Sequence, residues 1–162
     1  MSLTVSELER RLANAVRYAR VVAVDPANAR ARVTFGGETE SAWLPFTAGR
    51  AGGARIWAPL VVGEQVVVAS PMGDTAQAVI LGSLPSASFP AAGSDGATYT
   101  IALPGGVTIS VAGGSVSVTA PGGLQVTGDV VATGDVVAAG ISLKDHVHPG
   151  VTPGPASTLP PT

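Results

Sequence analysis

The stretch "GISLKDHVHPGV", residues 140–151, holds both histidines of the chain, His146 and His148. With no cysteine present, no other residue is an obvious metal ligand of the softer kind. Imidazole suits iron, nickel, copper and zinc. On an extended segment residues i and i+2 point the same way, so the two rings can converge on one point. The alternative is a pair of solvated histidines near a chain end. Asp145 could orient a ring, bind another ion, or be a plain solvated acid. Lys144 reads as a solvated charge. The choice depends on what the preceding chain builds to position this stretch.

Composition excludes several classes. Formal net charge is −2, which gives no electrostatic basis for holding nucleic acid or anionic lipid. The lack of cysteine excludes a disulfide framework and thiol chemistry. "MSLTVSELERRL" carries charges where a signal peptide needs an apolar core. Every long apolar stretch is interrupted by Gly, Ser, Thr, Asp or Pro, so no membrane-spanning helix is expected. Charged residues make up only 12% of the chain. A chain this poor in charge is expected to bury much of its surface in an assembly.

The charges are also unevenly placed. Of the 20 charged residues, only Asp95, Asp129, Asp135, Lys144 and Asp145 lie beyond residue 84. The step falls at "GSLPSASFPAAGSDG", residues 82–96, which reads as a linker. Before it, residues 4–19 read as a helix. Thr4 with Glu7 fits a capping box, and Val5, Leu8, Leu12, Ala15, Val16 and Ala19 form a narrow apolar stripe. That stripe suits docking on a neighbour or packing on its own domain. Residues 20–84 read as five short antiparallel strands, with a turn at "DPAN", Asp25–Asn28. Five such strands suit a small Greek-key barrel of the OB type.

Residues 97–143 differ. "GVTISVA", "GSVSVTA" and "GLQVTG" alternate strictly, which puts Val107, Ile109 and Val111 on one face and Thr108 and Ser110 on the other. Gly-Gly pairs at 105–106, 113–114 and 122–123 punctuate them. The period then shortens to "GDVVAT" and "GDVVAA", residues 128–139. No helix or aromatic stripe is available to cover the apolar face. Three chains wound about a common axis would bury the inward valines and pair every edge. A single-chain β-helix or sandwich is the alternative. The expected fold is all-β: a short N-terminal helix, an OB-fold barrel, then a trimeric intertwined β-helix or prism.

These phrases resemble a known family. "RVVAVDPANARARVTF", "AWLPF", "VGEQVVVASPMGD" and "AVILGSL" are similar to the OB domain of the phage baseplate assembly protein V family, the central spikes of contractile-tailed phages, to which type VI secretion spikes are related. "GDVVATGDVVAAGISLKDHVH" is similar to the family's stem ending and apex metal motif. The resemblance implies a helix over 1–19, an OB domain over 20–84, a linker over 85–98, a triple-stranded β-helix stem over 99–143 and an apex domain over 144–162. It implies a homotrimer attached by its OB end to a baseplate hub protein. The pointed end would be driven through the host outer membrane on sheath contraction, as part of the virion's tail baseplate. Larger relatives insert a lysozyme domain where only the linker stands here, so the resemblance implies a spike without an enzyme.

In a trimer, His146 and His148 from three chains supply six imidazoles, enough for an octahedral shell. Six ligands argue against structural zinc, which prefers four, and the resemblance implies one iron(II) per trimer. With every position filled, the ion would be structural rather than catalytic. The Pro-rich end, "PGVTPGPASTLPPT", is expected to fold back around the tip. The rival reading is an OB-type carbohydrate- or nucleic-acid-binding module on a trimeric β stalk, using Trp43, Phe46 and Trp57. Single-strand binders need a basic groove and stacking aromatics, and aromatics are 4% of this chain. A hydrolase is a third reading, but no nucleophile elbow, phosphate loop or helical metal motif is present.

Overall fold

A computed structural model describes residues 4–147, 150 and 154. The chain forms two compact units, residues 1–119 and 120–162. In the first, helix α1 (Val5–Ala15) leads without a break into strand β1 (Val16–Asp25). The expected helix over 4–19 is therefore four residues too long. Val16, Arg17, Tyr18 and Ala19 instead pair with Ala69, Val68, Val67 and Val66 of strand β6 (Gln65–Ala69). β-branched and aromatic residues favour that pleated surface, and Ala19 is buried there. The capping box is not formed either, because Thr4 makes no side-chain cap bond. The Glu7 carboxylate turns forward to Arg10 (2.8 Å) and Arg11 (2.6 Å). Two guanidinium groups outcompete one main-chain N–H for it.

The barrel follows from strand pairing. Strands β2 (Arg30–Thr34), β3 (Leu44–Pro45) and β7 (Val79–Leu84) complete one antiparallel sheet in the order β3-β2-β1-β6-β7. Its ends meet: Phe46 bridges Ile80, and the Thr47 N–H donates to the Ile80 carbonyl at 2.9 Å. Closure leaves neither edge open to another chain. β1 serves both sides by bending at a bulge, where Val22 is the extra residue between the pairs Val21–Val33 and Ala23–Arg32. Alternation then buries Val21, Val33, Val66 and Val68, with Leu44 and Ile80, inside the barrel. Each such side chain contributes about 1.5–3 kcal/mol on burial. The turn at Asp25–Asn28 is present as a 3-10 turn, with the Asp25 carboxylate accepting the Asn28 N–H. A small hairpin, β4 (Arg50–Ala51) and β5 (Arg55–Ile56), extends from the loop after β3.

Beyond the linker, strands β8 (Tyr99–Leu103), β9 (Val107–Ala112) and β10 (Ser115–Thr119) form an antiparallel meander. Directly opposed residues share a face. The register pairs Leu103–Val107, Ile101–Ile109 and Tyr99–Val111, then Val116–Val111 and Val118–Ile109. Eight apolar side chains therefore lie on one face, and the expected grouping of Val107, Ile109 and Val111 is observed within it. In the single chain that face is largely uncovered, with Tyr99 78% and Val116 69% exposed. No described helix is long and apolar enough to cross a membrane.

Candidate functional site

The second unit is built around a hairpin of four residues. Strand β11 (Val137–Ala138) pairs with β12 (Ile141–Ser142) across the turn Ala139–Gly140. Both turn residues have positive φ, 50° and 82°, as a two-residue turn matched to strand twist requires. Ala139 takes this left-handed conformation without glycine's freedom, so the flanking chain must hold it. Part of that hold is the Leu143 N–H to Val136 carbonyl bond, 2.8 Å.

The rest comes from Asp135. Its Oδ1 accepts the Val136 N–H at 2.8 Å and the Lys144 N–H at 3.1 Å. A hydrogen bond with the Ser142 side chain, followed by these main-chain bonds, holds its carboxyl below the usual carboxylate range. Ser142 Oγ in turn accepts the Asp145 N–H at 2.8 Å. The chain from 142 to 146 is thus wound into a tight turn.

His146 sits at the end of that turn. Its Nδ1 lies 2.9 Å from the Ser142 carbonyl oxygen and 3.1 Å from that of Leu143. Carbonyl oxygens only accept, so Nδ1 carries the proton, and in the neutral ring Nε2 carries the lone pair. This is the tautomer in which a metal-ligating histidine is usually held, with its other nitrogen donating to a carbonyl or carboxylate. The donor chemistry at His146 therefore fits a metal bound through Nε2. The main chain of residues 142–143 supplies the orienting acceptors, and Asp145 adds its own N–H to Ser142. His148 and the greater part of the Pro-rich end lie outside the described residues. Among the described residues, no three His, Asp or Glu side chains of one chain gather into a metal-binding group. A centre on His146 needs further donors.

His146 is legible in the sequence, whereas Asp135 and Ser142 are not singled out by residue type or spacing. A signal was present in the duplicated phrase. Seven residues after Asp135 stands Ser142, with a hydroxyl; seven after Asp129 stands Val136, without one.

In the first unit, the aromatic candidates are partly brought together. The rings of Phe46 and Trp57 are 5.8 Å apart. Trp43 lies separately under the Arg32 guanidinium, 6.0 Å from it, and Arg32 is itself tied to Glu40 at 3.0 Å. Arg30 is bonded to the Trp43 carbonyl as well.

Residues 17–84 match the family model of the type VI secretion system/phage-baseplate injector OB domain. Residues 140–162, which include His146 and His148, match that of the GpV apex motif. The OB domain and the end of this chain are those of the phage-baseplate injector family. The spike protein of Escherichia phage P2 is 32% identical to it over 137 residues, 78% of this chain and 64% of that protein. The chain thus spans just under two thirds of that relative's length. In family terms, the closed barrel is the injector OB domain, and the Asp135–His146 turn overlaps the start of the apex motif.

Proposed function

We propose that the chain is the structural spike at the tip of a contractile tail's baseplate, which caps the hub and pierces the host outer membrane on sheath contraction. The observation that carries this reading is the pairing, in one chain, of an injector OB domain over 17–84 with an apex motif over 140–162. The sheet between them supports a homotrimer, since six of its eight apolar side chains are exposed and the other two only half-buried among the described residues. Three copies winding these strands about one axis would give the β-helical stem over 99–143 a dry core. The OB end is the natural seat of the hub contact, with Trp57 and Trp43 54% and 42% exposed there.

At the apex, His146 and His148 from three chains would hold one iron(II) ion. The bonding of His146 Nδ1 to the Ser142 and Leu143 carbonyls, which leaves Nε2 as the ring's ligand atom, supports this. A bound ion with all positions filled supplies cross-linking of three chain ends, not catalysis, and we assign the chain no enzymatic step. Its work is to transmit axial force.

Light scattering on the purified protein is expected to give the mass of three chains, and metal analysis about one iron per three chains. The double variant His146→Ala/His148→Ala is expected to lose the iron and keep the trimer. A monomer at micromolar concentration, or filter binding of single-stranded DNA at physiological salt, would count against the spike and for a ligand-binding OB module.

A further inference from the structure

We infer that Asp135 is a positioning residue for the apex metal site, setting the tautomer and direction of the His146 ring through the turn that it closes at Lys144. The inference rests on the metal-bound apex proposed above.

Three contacts carry it. Asp135 Oδ1 joins the two ends of the turn, at Val136 and at Lys144, nine residues apart. Ser142, opposite Val137 in the hairpin, accepts the Asp145 N–H with its hydroxyl oxygen. Its carbonyl, and that of Leu143, receive Nδ1 of His146. Removing the carboxylate leaves the Val136 and Lys144 N–H groups without their acceptor. The carbonyls of 142 and 143 then lose the frame that aims them. In water an imidazole prefers the proton on Nε2, which would block that nitrogen as a ligand. Asp135 therefore acts on the metal without touching it.

The duplicated phrase provides an internal control. Asp129 occupies the same place in "GDVVAT" as Asp135 in "GDVVAA", yet its side chain makes no hydrogen bond with another described residue. Asp129→Ala should leave both readouts below unchanged.

The test uses the full chain and two measurements. The first is the long-range proton–nitrogen spectrum of the imidazoles in metal-free protein, which reports the tautomer directly. The second is competition between the protein and a chelator for iron(II), without oxygen. Wild type and Asp129→Ala are expected to show the Nδ1–H form of His146. Asp135→Ala is expected to shift it to Nε2–H and to weaken iron(II) binding by about 10–100-fold. Asp135→Asn keeps an oxygen for the two N–H groups and should retain the tautomer with a smaller loss. Ser142→Ala should move both readouts in the same direction as Asp135→Ala, and decides the matter if that variant does not fold. A wild-type spectrum and wild-type iron retention in Asp135→Ala and Ser142→Ala would overturn the inference. If the histidine double variant binds iron(II) as wild type does, the metal-bound apex fails instead. The tautomer in metal-free protein still decides the role of Asp135.

Discussion

Gly73 lies against the backbone of Arg11: a β-carbon at Gly73 would stand 2.5 Å from the Arg11 Cα and 2.8 Å from its carbonyl carbon. The turn holding Gly73 is thereby seated on α1, and the Ser70 N–H to Ala15 carbonyl bond, 2.8 Å, joins the same two segments. Gly73 also has φ 69°, a conformation that costs other residues energy. We expect Gly73→Ala to destabilise the first unit by about 1–3 kcal/mol in denaturant titration. Gly52→Ala, where the added carbon meets nothing, should fall within about 0.5 kcal/mol of wild type. Equal stability of the two variants would show that α1 does not dock on this turn.

Glu7 gives α1 a pH dependence. Its hydrogen bonds to Arg10 and then Arg11 lower its carboxyl from the ordinary 4.5 to about 2. A depressed folded-state value means that the contribution is fully present above pH 4.5 and fades as pH falls toward 2. The Glu7 carboxyl carbon, followed by NMR, is expected to titrate near the lower value, and Glu7→Gln to remove that step. A midpoint at 4.5 would show that the two ion pairs are not maintained in solution.

The barrel core makes a volume prediction. Ile80 is fully buried and forms the closing bridge with Phe46. Ile80→Ala is expected to cost about 2–5 kcal/mol, and Ile80→Val about 0.5–1.5 kcal/mol. Comparable small losses for both would mean that the barrel is not closed at this seam.

The β8–β10 face predicts the assembly state. Ile109 lies between Ile101 and Val118 in the middle of the apolar face. Ile109→Asp is expected to reduce the mass in light scattering from three chains to one at micromolar concentration. Ser117→Asp, on the opposite face opposite Ser110, should leave the trimer intact. A trimer that survives Ile109→Asp would place the interchain core elsewhere.

The parts that were legible in the sequence are those written in local period and turn chemistry. Strict alternation from Val107 to Val111 placed one face correctly. The Pro-containing turn at Asp25–Asn28 and the five barrel strands were marked by turn residues between β-branched runs. The helix end was not legible: Val16 and Ala19 continue the apolar stripe at helical spacing, and nothing local distinguishes that stripe from a strand. Pairing with Val66–Ala69, some fifty residues away, decided it. The capping box failed for a similar reason, because Thr4 and Glu7 have the right spacing but Arg10 and Arg11 compete for the carboxylate.

The sequence by itself therefore determined the alternating faces, the turns, the histidine pair and the family phrases, all of which depend on neighbours within a few residues. Tertiary structure decided which strands pair, where β1 begins, how Gly73 meets α1, and which nitrogen of His146 carries its proton. Those outcomes depend on hydrogen-bond partners that the chain must fold to bring together. Asp135 reaches Lys144 only after the Ala139–Gly140 turn has reversed the chain, and only then do the carbonyls of Ser142 and Leu143 meet the imidazole.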